Sequence, residues 1–319
     1  LLLTGNVQLL AAFFIRWYCN AIFDGLATAV ARPASKVREG MYTLNCKGKL
    51  LVLDSPIVMG ILNLTPDSFY AASRHQLSDG LLQQAEGMLH EGATLLDVGG
   101  QSTRPGAEWL DADAEAVRVL PAIEALHRHF PEALISVDTF HSRVATLAVQ
   151  AGACLVNDVS GGLLDGQMLP AVAALHVPYV CMHMPGTPQT MQSHAQNQSN
   201  DNIVQTVLDF FIERTAACRL AGIHDVIIDP GFGFGKTPAQ NFTILKQLGV
   251  FANILQKPLL LGVSRKSTIY NTLGITANDA LNGTTVLNTV GLLNGANILR
   301  VHDVKAATEA ITLLNAMGR

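Results

Sequence analysis

Charge is what this sequence has least of. Asp, Glu, Lys and Arg make up 14% of the 319 residues and the net charge is −4, against roughly 25% charged residues in an ordinary domain. No run of basic residues stands out, so a nucleic-acid partner held by bulk electrostatics is not expected. The five cysteines, Cys19, Cys46, Cys154, Cys181 and Cys218, contain no CxxC pair. Their odd number fits small buried hydrophobes in a reducing, cytoplasmic setting better than a disulfide frame. HExxH spacing, a Walker loop and a GxGxxG turn opening a helix are also missing, which removes the common metalloprotease, P-loop and dinucleotide readings. Residues 1–15 are apolar but broken by Thr4, Gly5, Asn6 and Gln8, too short and interrupted for a membrane span. Arg16 follows that run, whereas a secretory signal carries its positive charge in front. Residues 1–40 are therefore expected to be a non-conforming extension, artefactual or disordered, with no membrane partner. The patterned region opens at Met41 and runs to 319.

What the chain has in quantity is apolar sequence, 49% of it, in a repeating arrangement. Eight short apolar runs, at 57–62, 94–98, 134–137, 155–156, 179–182, 226–228, 259–263 and 298–301, each end in a polar or glycine-rich turn and lead into a helix-period segment. Strand, polar tip, helix, repeated about eight times, predicts an α/β fold of the (β/α)8 TIM-barrel class. A parallel sheet covered by helices also consumes this much apolar sequence. One helix stripe is Ala116, Val119, Leu120, Ile123, Leu126 and Phe130, with Asp111, Asp113 and Glu115 in its acidic first turn and a kink or late start expected at Pro121. Ile203, Val204, Val207, Leu208 and Phe211 make another. Residues 41–54 alternate around Asn45-Cys46-Lys47-Gly48-Lys49, which predicts a short N-terminal β-hairpin lying over the barrel bottom.

In a barrel the C-terminal strand ends meet at one mouth, so the residues closing the eight runs should share a site. They are Asn63, Gly99-Gly100, Asp138, Asn157, His183, Asp229, Ser264-Arg265-Lys266, and Arg300 with His302. Asp138, Asn157 and Asp229 together suit a flat heterocycle with a mixed donor and acceptor edge, because a carboxylate accepts two parallel hydrogen bonds from an amidine-like group; singly, each is as readily a helix cap. The loop DPGFGFGK at 229–236 has three glycines that let a flat ligand approach closely. Arg300, His302, Lys266 and Ser264 suit an anion such as phosphate, the alternative being an ion pair between Arg300 and Asp303. Asn63 could offer a neutral oxygen to Mg²⁺. Loops 65–75 and 100–108 bring Phe69, Arg104 and Pro105 as candidates for a second substrate, or are simply solvated. His183, between Met182 and Met184, reads as a packing residue.

The ordered motifs NLTPDSF, DVGGQSTRPGA, SVDT, VNDVSGG, MHMPGTPQTM, DPGFGFGK, GVSRKS and RVHD resemble those of the dihydropteroate synthases, over the whole of 41–319. The resemblance implies a transferase of folate biosynthesis that joins 4-aminobenzoate to 6-hydroxymethyl-7,8-dihydropterin diphosphate, giving 7,8-dihydropteroate and diphosphate. It implies Mg²⁺ as cofactor, contacted by Asn63, and small-molecule substrates in a homodimer. Asp138, Asn157, Asp229 and Lys266 would take the pterin ring, with Thr103, Arg300 and His302 towards the diphosphate. Phe69, Arg104, Pro105, Phe234 and Ser264 would shape the aminobenzoate pocket, where sulfonamides bind in this family. Asp138, Arg104 and Lys266 would be the catalytic set. Two positions depart from the family pattern: Tyr70-Ala71-Ala72-Ser73 stands where Ser-Asp-Gly-Gly is common, and Gln101 where Glu is frequent. A pterin-dependent methyltransferase module or a non-catalytic pterin-binding barrel would keep the ring site without the diphosphate clamp that SRKS and RVHD suggest.

Overall fold

The structure, a computed structural model, describes residues 41–64, 74–101, 109–187 and 202–318. The extension at 1–40 and the candidates Phe69, Thr103, Arg104 and Pro105 lie outside the described residues. Strands β1 (Tyr42–Cys46) and β2 (Lys49–Leu53) pair antiparallel as the expected hairpin. Lys47 and Gly48 both take positive φ, 55° and 90°, the backbone a two-residue turn needs to follow the strand twist. The Asn45 side chain accepts from the Gly48 N–H at 2.8 Å and secures the turn.

Eight parallel strands follow: β3 (Ile57–Asn63), β4 (Leu95–Gly99), β5 (Leu134–Asp138), β6 (Leu155–Asp158), β7 (Tyr179–Met182), β8 (Val226–Asp229), β9 (Leu260–Leu261) and β10 (Ile298–Val301). Each coincides with one apolar run of the sequence. Their order is β8-β7-β6-β5-β4-β3-β10-β9, and a parallel bridge between Ile228 and Leu259 joins β8 to the start of β9 and closes the barrel. The described helices are α1 (Arg74–His90), α2 (Ala112–His129), α3 (Ser142–Ala151), α4 (Met168–Leu175), α5 (Ile203–Ala221), α6 (Pro238–Lys246), α7 (Leu248–Leu255), α8 (Ser267–Leu273), α9 (Leu281–Leu293) and α10 (Val304–Ala316).

The α2 stripe is buried at Ala116, Val119, Ile123 and Leu126, and the α5 stripe at all five expected positions. Two details of α2 sharpen the sequence reading. The helix runs through Pro121 without starting late. Asp111 is its N-cap rather than a first-turn residue, accepting from the Ala114 N–H at 2.8 Å; Asp113 and Glu115 do stand in the first turn, and Glu115 is buried.

The hairpin covers the N-terminal end of the barrel. Leu44, Cys46, Leu51 and Leu53 cluster with Met59, Leu95, Leu155, Val180, Ile227, Leu260 and Ile298 from seven of the barrel strands. Burying each such leucine contributes about 1.5–3 kcal/mol. Lys47 and Lys49 fasten the edges, donating to the carbonyls of Val149 and Pro131 at 2.7 Å each. With that end closed, the polar residues collect at the other.

Candidate active site

Strand register puts the expected tip residues at one level. Asn63 pairs with Gly99, Gly99 with Asp138, and Asp138 with Asn157, four neighbouring strands in a row. Asp229 ends β8 opposite Met182. Across the barrel, Arg300 on β10 reaches inward: its Nε donates to Asp97 Oδ2 and its Nη2 to Asp138 Oδ2, both at 2.6 Å. Asn157 Nδ2 donates to the same Asp97 oxygen at 3.0 Å. Asp97, Asp138, Asn157 and Arg300 are thus one network spanning β4, β5, β6 and β10. The ion pair considered between Arg300 and Asp303 is not formed; Asp303 takes a bidentate pair from Arg265 instead, at 2.8 Å on each oxygen.

Asp97 is the residue the sequence reading passed over. Its signal was present, a lone carboxylate inside the apolar run Leu95-Leu96-Asp97-Val98. It is fully buried, and its Oδ1 has no hydrogen-bond partner among the described residues. A buried acceptor left open costs about 1–3 kcal/mol, so an orphan of this kind at a mouth points to a ligand donor.

Asp229 forms the opposite wall. Its Oδ1 accepts from the Gly231 N–H at 2.8 Å. Its Oδ2 and the Lys266 ammonium lie 4.0 and 3.8 Å from the point where a Gly262 side chain would begin, so Gly262 keeps that corner open. Lys266 Nζ also sits 4.4 Å above the Phe234 ring and donates to the Phe232 carbonyl. Gly231, Gly233 and Gly235 all have positive φ, and a side chain at Gly231 would begin 1.9 Å from the His183 carbonyl oxygen. The glycine spacing of DPGFGFGK is therefore a backbone requirement of this loop.

Burial governs the electrostatics. It pushes the Asp138 carboxyl up to about 7 against the pull of Arg300, and raises Asp229 against that of Lys266. It also pulls Lys266 down to about 8 and Lys236 to about 7, with Asp229 opposing the fall in each. Burial works against the Arg300 charge too, but the Asp97 and Asp138 carboxylates outweigh it and hold the guanidinium above its usual range. A mouth in which carboxylates are pushed up and amines down is typical of a functional site.

The last two loops are joined. Ser264 Oγ and His302 Nδ1 are 3.0 Å apart, and the His302 N–H donates to the same oxygen at 3.2 Å. Ser264 is buried and His302 exposed at the rim, so residues assigned by the resemblance to two different pockets belong to one corner. His183 packs, as expected: it is buried and meets the Phe210 ring edge-on at 4.9 Å between centroids. Two buried acids serve the scaffold. Asp158 accepts from Ser160 N, Ser160 Oγ, Gly162 N and Tyr179 Oη at 2.7 Å each. Glu115 accepts from Thr139 Oγ1 at 2.9 Å behind the Asp138 tip.

Asn63 Oδ1 and Asp138 Oδ2 lie 3.8 and 3.6 Å from the position a Gly99 side chain would take, so Gly99 leaves a gap between them. Among the described residues no group of three His, Cys, Asp or Glu could hold a metal alone, and no helix is long and apolar enough to cross a membrane.

Comparison with known proteins gives the family. A family described as pterin binding enzyme matches residues 59–302. The dihydropteroate synthase of Escherichia coli K12 is 40% identical over 275 residues, covering 86% of this chain and 95% of that protein. The folic acid synthesis protein fol1 of Schizosaccharomyces pombe is 40% identical over 83% of this chain, which spans 37% of its length. The crystal structure of the Yersinia pestis dihydropteroate synthase with a sulfonamide drug superposes with a TM-score of 0.80 at 39% identity, covering 87% of this chain and 99% of that one. The chain belongs to the pterin-binding enzymes and, within them, to the dihydropteroate synthases, transferases of folate biosynthesis.

Proposed function

We propose that the mouth holds the pterin ring between Asp97, Asn157 and Asp229, with Lys266 beside it. The diphosphate lies towards Asn63, Arg300 and His302, and 4-aminobenzoate lies against Phe234 near Ser264. Phe69, Thr103, Arg104 and Pro105 complete the site from the two loops outside the described residues. The observation that carries this reading is the pair of open carboxylate oxygens: orphaned Asp97 Oδ1 and, across the mouth, Asp229 Oδ2 beside Gly262. A pterin presents N–H donors along its amidine edge and on its reduced ring, and two such acceptors suit them.

The reaction breaks the bond between the pterin methylene and the diphosphate oxygen, with the electron pair leaving on the diphosphate. The arylamine nitrogen then bonds to the methylene and loses a proton. Asp138, at the end of β5 and paired to Arg300, is placed to stabilise the delocalised cation left on the pterin. Arg300 supplies fixed positive charge where the leaving group gathers negative charge. Lys266 offers a second cation on the ring side. No covalent intermediate with the protein is needed.

Mg²⁺ is part of this reading. The gap beside Gly99, with the Asn63 amide oxygen and the Asp138 carboxylate on its sides, suits an ion that takes few protein ligands and completes its shell with water and phosphate. When bound by Asn63 it supplies charge that neutralises the diphosphate. The test is isothermal titration with the pterin diphosphate with and without Mg²⁺: binding strengthened by the metal is expected, and metal-independent binding would remove it from the account.

We infer a homodimer as well. Val286 and Leu293 on α9, Leu313 on α10 and Met317 just beyond it are 52–80% exposed, apolar side chains on two adjoining helices that a second copy would cover. Light scattering at micromolar protein checks it. The buried thiols of Cys46, Cys154, Cys181 and Cys218 suit the reducing conditions of a cytoplasmic location.

A further inference from the structure

Lys236 ends the DPGFGFGK loop, is 7% exposed, and has no part in the chemistry described above. Its ammonium donates to three backbone carbonyls: Gly231 at 2.9 Å, Phe234 at 3.0 Å and His183 at 3.1 Å. Three carbonyl oxygens converging on one point repel one another, and the buried pair, from Gly231 and His183, could not be left unpaired without cost. The Lys236 amine at their focus, when protonated, has one N–H for each and offsets that repulsion.

The three carbonyls belong to residues that define the mouth. Gly231 turns its carbonyl to Lys236 and its N–H to Asp229 Oδ1 at 2.8 Å, so the two peptide groups flanking one glycine connect the ammonium to the carboxylate. Phe234 turns its carbonyl to Lys236 and its ring to Lys266. His183 follows β7, and its N–H donates to the Asp229 carbonyl at 3.0 Å. Positive φ at Gly231, Gly233 and Gly235 makes the loop pliable, and local geometry alone does not select this shape.

From this clamp we infer that Lys236 is a positioning residue that sets the orientation of the Asp229 carboxylate and the Phe234 ring, tying the ring-binding wall of the pterin site to the aminobenzoate side. The inference rests on the pterin reading of the mouth. It assigns Lys236 a role different from that of Lys266, which faces the ligand space directly.

The test is calorimetric titration of the full-length protein with 6-hydroxymethyl-7,8-dihydropterin and with its diphosphate, for the wild type, Lys236→Met and Lys236→Gln. Lys236→Met should weaken both ligands by a similar factor of ten or more, because the loss acts through Asp229 at the ring. It should also raise the KM for aminobenzoate through Phe234. Lys236→Gln, which keeps two N–H donors, should lose less. A purely structural lysine would lower the binding stoichiometry and leave Kd unchanged in the folded fraction; that result overturns the inference, as does a loss confined to the diphosphate. If Lys236→Met does not fold, an unchanged Kd in Lys236→Gln overturns it equally, and failure of both to fold makes Lys236 a folding residue only. Should the wild type itself fail to bind the pterin, the reading of the mouth falls, which is a different outcome.

Discussion

Replacing Asp229 by Asn changes one oxygen to an NH₂ group and removes one charge, in a side chain only 5% exposed. The structure says which oxygen matters. Oδ1 is committed to the Gly231 N–H at 2.8 Å, and an Asn carbonyl can keep that bond. The new NH₂ then falls at the Oδ2 position, beside the Lys266 ammonium and facing the N–H groups of the pterin. A hydrogen bond to a charged acceptor contributes about 1.5–3 kcal/mol, and leaving donors opposed costs about 1–3 kcal/mol more. Burial already raises the Asp229 pKa, so part of the carboxylate's gain goes to keeping it ionised, and the net loss is set at about 2–4 kcal/mol. At 1.4 kcal/mol per factor of ten, Kd for the pterin should rise by roughly 30- to 1,000-fold. Calorimetric titration with 6-hydroxymethyl-7,8-dihydropterin measures it, with circular dichroism melting to show that the variant is folded. Affinity within threefold of the wild type in a folded Asp229→Asn protein would refute the placement of Asp229 in the ring site.

Three further outcomes are expected. Arg300→Ala should weaken the pterin diphosphate far more than the pterin alcohol in parallel titrations. It should also lower stability by about 3–5 kcal/mol, because it strands the buried Asp97 and Asp138 carboxylates; equal weakening of both ligands would make Arg300 structural only. The Asp138 pKa is raised from 3.8 to about 7 by burial, so between those values the folded protein holds a proton the unfolded chain has lost. Its contribution to stability therefore falls as pH rises from about 4 to 7, and melting should show a steeper fall in the wild type than in Asp138→Asn, which keeps the slope from the other raised carboxyls such as Asp229 and Glu115. Aminobenzoate alone should give no measurable heat, and should bind once pterin, diphosphate and Mg²⁺ are present, because strand tips preform the pterin site while Phe69 and Arg104, outside the described residues, belong to segments whose sequence reads as loop. Phe69→Ala should then raise the aminobenzoate KM and spare pterin affinity; tight binding of aminobenzoate to the free protein would contradict that order.

The barrel was legible in the sequence because a strand buried on both faces must be continuously apolar, so each run from 57–62 to 298–301 marked its strand and its polar end marked the mouth. The tips Asn63, Asp138, Asn157 and Asp229 followed from the same rule. Partners across the barrel did not. Arg300 reaches Asp97 over 203 residues of chain, and no local spacing encodes that pairing. Asp97 was hidden because it stands two residues before its strand's end, inside the apolar run. Of the two outcomes expected at Pro121, the late start is not taken, because context overrode the local penalty: the proline sits in the middle of α2, and the helix continues, buried along Val119, Ala122, Ile123 and Leu126. Lys236 belonged to a motif that was noticed, but a carbonyl clamp depends on backbone direction, which residue identity does not reveal.

The central claim is tested most directly by incubating the purified full-length protein with 6-hydroxymethyl-7,8-dihydropterin diphosphate, 4-aminobenzoate and Mg²⁺, and following both products. The account predicts 7,8-dihydropteroate and diphosphate in equal amounts, with product formation lost in Asp229→Asn at substrate levels that saturate the wild type. Absence of dihydropteroate from a folded protein that binds the pterin diphosphate would contradict it and leave a pterin-binding barrel without this transfer.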